Sequence, residues 1–231
     1  MAKKTTRRNI LGKVLFIFIL GMSFIGFLIV KHLSDKHFRM PQHFVVERID
    51  RVAEDGQVRS DTVYHRMRDF RMTNQLDLPV TRHDLEGKVT LVSFFSTRDS
   101  LIAPHLAEVL LKIQHTFAPS DSGLHILSIT VDPAFDTVGA LKAYADRFDA
   151  NHDLWWFLRG APSQAEDIAQ TDFQVKLQRA DSTAAPYTPT LVLLDKREFV
   201  RGYYDVMDSA RVTQCVTAIS MLMLESKKAE Q

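Results

Sequence analysis

Residues 88–108 read KVTLVSFFSTRDSLIAPHLAE. Val89 to Phe95 is an apolar, β-branched and aromatic run of strand length. Its near-continuous hydrophobicity is that of a strand covered on both faces. Ser96 and Thr97 are helix-capping residue types, and Pro104 suits the first turn of a helix. The stretch predicts a buried strand, a short loop and the opening turns of a helix. A thiol in such a loop sits at a helix N-terminus, where the dipole lowers its pKa. This loop holds Arg98, Asp99, Ser100, Leu101, Ile102 and Ala103, and no cysteine.

Downstream, Leu106, Val109, Leu110 and Ile113 share one face of a helix expected from about Pro104 to Phe117. Pro119 to Gly123 breaks it. A second buried strand follows over Leu124–Val131, closed by a strand-end turn at Asp132-Pro133. Asp136-Thr137 caps a helix running through Phe148. WWFL, within Asp153–Leu158, is a third strand. Pro162-Ser163 opens another helix, with Ala165, Ile168 and Ala169 inward. Thr190–Leu194 and Phe199–Tyr203 form a hairpin, and Ser209–Glu225 is the closing helix. Cys215 lies in the apolar stripe of that helix with Val212, Val216, Ile219, Leu222 and Met223, and reads as a core thiol. Upstream, Phe70 and Met72 alternate with polar neighbours before a turn at Asn74 to Leu78. Strands alternating with helices, then a hairpin and a helix, predict an α/β sandwich with a mixed central sheet flanked by helices.

The chain has 231 residues, with 29 basic against 28 acidic, so nothing in its charge points to nucleic acid. One cysteine excludes an intrachain disulfide. Val14 to Val30 carries no charge, and Ile10 to Gly12 extend the run past Lys13. At about 1.5 Å per residue, roughly 20 helical residues reach about 30 Å, enough for a bilayer. No A-x-A cleavage site follows, so residues 10–30 are expected to be a retained transmembrane anchor; a cleaved signal peptide is the alternative. Lys3, Lys4, Arg7, Arg8 and Lys13 outnumber Lys31, Lys36 and Arg39. The positive-inside rule then keeps the basic tail of residues 1–9 in the cytoplasm and exports the rest, to the periplasm in a Gram-negative cell. Residues 31–60 read as a linker with an extended arm and hairpin, 61–225 as the domain, and 226–231 as a polar tail. His32, His37 and His43 in the linker read as solvated histidines.

Several separated blocks resemble one family. TVDPAFDTVGALKAYADRF (Thr130–Phe148), WWFLRG (Trp155–Gly160), RGYYDVMD (Arg201–Asp208), GKVTLVSFFS with APHLAEVL, and the lead-in DTVYHRMRDFRMTNQ are similar to SCO/SenC proteins. The resemblance covers about residues 61–225 and implies a thioredoxin-like fold, a membrane anchor and a copper role in cytochrome oxidase assembly. The family's metal site uses a C-x-x-x-C loop and a distant histidine. Soft thiolates suit Cu(I), and imidazole with thiolates suits Cu(II). Matching Pro104 to the proline after the second cysteine puts Asp99 and Ala103 at the cysteine positions; counting back from Asp195 puts Tyr187 at the histidine. A carboxylate, a methyl group and a phenol do not replace that set. Dithiol–disulfide exchange is lost with the thiols.

Within this corner, Asp99 is expected to cap the helix, His105 to be solvated, and Arg98 to pair with Asp99 at the surface. Asp99, His105 and Asp132 together form the alternative, a site for a hard or borderline divalent metal. Thr188-Pro189 before the fourth strand resembles the loop in which thioredoxin-like proteins carry a cis proline facing the corner; the resemblance implies a cis bond there, while trans is the default for any X-Pro bond. With Arg98 and His105, Thr188 and Pro189 then outline a binding corner without thiols. The expected protein is a membrane-anchored, non-catalytic SCO-like accessory that binds an unidentified protein and no cofactor. The alternatives are a copper chaperone using non-family ligands and a thiol oxidoreductase.

Overall fold

The expected central strand is Val89–Phe95, and every residue of it is buried. It is β5 of a chain in which β1 is Val46–Glu54, β2 Gln57–Tyr64, β3 Arg71–Thr73 and β4 Pro79–Thr81. Beyond it come β6 (Leu124–Thr130), β7 (Trp155–Leu158), β8 (Thr190–Leu194) and β9 (Val200–Asp205). The helices are α1 (Ile102–Phe117), α2 (Val138–Arg147), α3 (Gln164–Asp167) and α4 (Ser209–Ala229). A π-helical turn, Ile168–Asp172, extends α3. This computed structural model describes residues 21–22, 24–26, 45–54, 57–117, 123–177 and 188–229.

The sheet order is β7-β6-β5-β8-β9. β6 runs parallel to β5 and β7 to β6; β8 is antiparallel to β5 and β9 to β8. The mixed sheet expected from the alternation of elements is therefore present. Adjacent residues of a strand point to opposite faces. Phe94 meets Phe173 beyond the π turn, with ring centroids 6.2 Å apart, while Phe95 meets Tyr144 of α2 at 5.4 Å. Both faces are covered, which is why the strand can be apolar throughout.

The turn expected at Asn74 to Leu78 joins a β3–β4 hairpin, closed by Asn74 Oδ1 accepting from the amides of Leu76 and Leu78. β1 and β2 form a separate antiparallel hairpin, and β2 crosses residue 61, the expected start of the domain. The closing helix continues past Glu225 to Ala229, through most of the expected polar tail. Cys215 is fully buried on it, as expected, and burial pushes its thiol up to about 12.

Two buried carboxylates tie the lead-in to the rest of the domain, one at the β8–β9 turn and one at the π turn after α3. Glu198 sits in the β8–β9 turn with φ at 65°, and its Oε2 accepts from Arg66 Nε at 2.6 Å and Arg82 Nη1 at 2.9 Å. Asp172 accepts from Arg68 N at 2.9 Å, Arg68 Nη2 at 2.9 Å and His65 Nε2 at 3.0 Å. Burial pulls the Asp172 carboxyl upward, but these donors outweigh it and hold it below the ordinary range.

Residues 21–22 and 24–26 are helical. Among the described residues no helix is long and apolar enough to cross a membrane. Most of the expected anchor over residues 10–30 lies outside the described residues, as do His32, His37 and His43.

Candidate functional site

β5 and β6 end side by side, Phe95 opposite Thr130. Their loops, with the start of β8 and the end of β9, form one end of the sheet. This is the corner singled out in the sequence.

Asp99 caps α1 as expected. Its Oδ1 accepts from the amides of Leu101 at 2.8 Å and Ile102 at 2.9 Å. These are N–H groups a helix start leaves without intrahelical partners. Neither Ser96 nor Thr97 does this: Ser96 Oγ accepts from the Arg98 amide, and Thr97 binds Asp136. The helix begins at Ile102, which puts Pro104 in its first turn. Ala103 is 2% exposed, its methyl packed into the core.

Arg98 does not pair with Asp99. Its Nε donates to Asp132 Oδ2 at 2.7 Å, and its Nη2 contacts the same oxygen. The partner differs because Asp99 is already committed to backbone amides, while the end of the neighbouring strand brings Asp132 within reach. The Arg98 guanidinium also lies 4.8 Å over the Phe135 ring. Asp132-Pro133 opens the expected turn, in which the Asp132 carbonyl accepts from the amides of Phe135 and Asp136.

Asp136 is fully buried, and its carboxylate is not the helix cap; Thr137 Oγ1 caps α2 by accepting from the Ala140 amide. Asp136 instead accepts from the Thr97 amide at 3.2 Å and from the Thr97 and Thr130 hydroxyls. It therefore joins the two strand ends beneath the corner. Arg159, at the end of β7, donates to the Pro133 carbonyl at 2.8 Å and the Asp136 carbonyl at 3.2 Å. Sequence reasoning missed both roles. The available signal was a threonine at or just after each strand end, with an aspartate shortly after the second.

His105 is half-buried rather than solvated. Its Nε2 donates to the Val206 carbonyl at 3.1 Å, which fastens α1 to the β9–α4 loop. The alternative grouping of Asp99, His105 and Asp132 is thus divided among three partners: a helix start, a carbonyl and a guanidinium. Among the described residues no cluster of three His, Cys, Asp or Glu side chains could hold a metal. Thr188 is buried and its Oγ1 accepts from the Thr190 amide. The Thr188–Pro189 bond is trans, against the expected cis, since no cis peptide bond occurs among the described residues. The Pro189 carbonyl accepts from the Val206 amide at 2.7 Å, joining the start of β8 to the end of β9. Tyr187 lies outside the described residues.

The two described positions matched to the family's cysteines, and the one cysteine present, do not fit copper. Asp99 offers hard oxygen already engaged with amides, Ala103 offers none, and Cys215 is buried in a helix stripe with a raised pKa.

Comparison with known proteins bears on this fold. The chain is 27% identical over 127 residues to the SCO1 protein homolog of Bacillus subtilis (strain 168), a match covering 54% of this chain and 66% of that one. The chain thus spans just under two thirds of that relative's length. A SCO1/SenC family lipoprotein from Bacillus anthracis str. Ames superposes with a TM-score of 0.63 at 21% identity, over 69% of this chain and 95% of that one. BsSco, a Sco-family cytochrome c oxidase assembly protein with a disulfide switch, superposes with a TM-score of 0.61 at 21% identity, over 70% and 95%. Arabidopsis thaliana ScoI with copper bound gives 0.54 at 22% identity, over 67% and 98%. At these identities the superpositions establish the thioredoxin-like fold expected of SCO proteins. The SCO1/SenC sequence pattern matches residues 59–223, and the chain belongs to the SCO1/SenC family.

Proposed function

We propose that this chain is a non-catalytic SCO protein that acts through protein contacts at the β5–α1 corner, in the setting of cytochrome oxidase assembly. The reading is supported by one observation above the others: the two corner positions matched to the family's thiols are a helix-capping carboxylate, Asp99, and a buried methyl, Ala103. Thiol exchange needs a thiolate, and the chain's single cysteine is Cys215. The assembly setting rests on kinship, since BsSco is described as an oxidase assembly protein. The uncharged run from Val14 to Val30 supports a membrane anchor, with the domain exported. In this reading the protein carries no resident cofactor.

Competition between the purified chain and a Cu(I) chelator tests the reading. The expected result is no stoichiometric Cu(I) retained by the protein. One tightly held Cu(I) per chain overturns it.

A further inference from the structure

We propose that the corner end of the sheet docks an extended polypeptide segment in which apolar side chains alternate with cationic ones; this rests on the reading of the corner as a protein-contact site. Three large apolar side chains stand in solvent there: Leu101 at 80% exposure, Phe135 at 51% and Met207 at 57%. Each comes from a different loop: β5 to α1, β6 to α2, and β9 to α4. The strand directions bring these loops together. β6 is parallel to β5, and β9, antiparallel to a strand antiparallel to β5, points the same way.

Bonds between neighbouring residues link the loops that carry the three. Phe135 lies under the Arg98 guanidinium. Arg98 adjoins Asp99, whose carboxylate holds the Leu101 amide. One turn into α1, His105 binds the carbonyl of Val206, the residue before Met207. Exposed apolar groups gathered at one place mark contact sites, whereas scattered ones do not. Two of the loops, those carrying Leu101 and Phe135, are pinned from beneath by Asp136, and the third is fastened to α1 by the His105 bond to Val206.

Charge selects the occupant. Arg98 and Asp132 neutralise each other. Around them Asp99 is half-buried, and Glu108, Asp205 and Asp208 are exposed, against one described cation of the α4 start, Arg211. These acids outnumber the cations Arg211 and Arg159, the latter held on the carbonyls of the β6–α2 loop, so the charge balance around the apolar tips is acidic. It favours lysine or arginine beside the apolar side chains of a partner and disfavours an acidic one.

The test uses the purified full chain and labelled synthetic peptides read by fluorescence anisotropy. A peptide alternating leucine and lysine is expected to bind at least about tenfold tighter than one alternating serine and lysine, or leucine and glutamate. Leu101→Ser and Met207→Ser should each weaken binding several-fold and Glu108→Lys should weaken it further, while Leu76→Ser and Leu78→Ser, in the β3–β4 turn, should leave it unchanged. Equal binding of the leucine–lysine and serine–lysine peptides overturns the proposal. So does equal weakening by the β3–β4 substitutions, or none by those at Leu101 and Met207. A Cu(I) titration of the same preparation separates the two claims. Retained Cu(I) with peptide binding removes the non-catalytic reading and leaves the surface; no Cu(I) and no peptide preference removes the surface alone.

Discussion

At the corner after β5, Asp99, Asp132 and Asp136 are held by their own loops and the adjoining strand ends. Along the lead-in, Glu198 and Asp172 are held by arginines more than 100 residues away in sequence. The corner's bonds shape loops. The seam's bonds close long stretches of chain, so its loss releases more of the structure. The seam carboxylates are also buried beneath their guanidinium partners, so losing those arginines would leave a buried carboxylate short of donors. The corner buries Asp136 among threonine donors, but leaves Arg98 and its apolar tips open to solvent. The seam holds the fold, and the corner is free to serve contact.

That contrast can be broken by substitution. Glu198→Ala should have the largest effect, about 3 kcal/mol, because Arg66 and Arg82 lose a shared buried acceptor of two charge-assisted hydrogen bonds. Urea unfolding of the purified chain measures it, and a loss below about 1 kcal/mol would put seam and corner on the same footing.

Asp172→Asn should cost about 2 kcal/mol at neutral pH through weakened charge-assisted bonds from Arg68 and His65. Its pH dependence has a definite sign. The folded pKa lies below the ordinary value of 3.8, so the stabilisation is complete above that value and disappears as pH falls through the folded pKa. The unfolding curves of wild type and variant should therefore converge in acid; a gap that widens there contradicts the assignment.

Asp99→Ala removes a cap and should cost about 1 kcal/mol, read as fraying of the first turn of α1 in hydrogen exchange. Protection at Leu101 and Ile102 equal to wild type would mean the cap is idle. Arg98→Gln should have the smallest effect, under about 1 kcal/mol, since half-exposed ion pairs contribute little. A larger loss would move Arg98 from the contact surface into the stabilising seam.

Much of the fold was legible because its signals are local. Val89–Phe95 is apolar at every position but Thr90 and Ser93, and a strand buried on both faces needs such a run. Leu106, Leu110 and Ile113 repeat at helical spacing, and all three are buried. Asp99 was legible as a cap because a capping side chain bonds residues two or three positions ahead. Arg98 was not, since its acceptor belongs to the next strand end. His105 was read as solvated because nothing near it in sequence shows that the β9–α4 loop folds against α1. The cis bond was expected from position alone. In the structure Pro189 precedes β8 and follows Thr188 through a trans bond, with its carbonyl paired to the Val206 amide.

The order of strands and helices, the burial of Cys215 and the want of any sulfur between Arg98 and Ala103 follow from residue type and periodicity. Those properties act over one or two turns of chain. Which arginine meets which carboxylate, that Asp136 ties two strands rather than capping a helix, and that three loop tips share one end of the sheet were settled by the tertiary structure. Such partnerships depend on which strand ends become neighbours, and that is decided only when the sheet closes around its core.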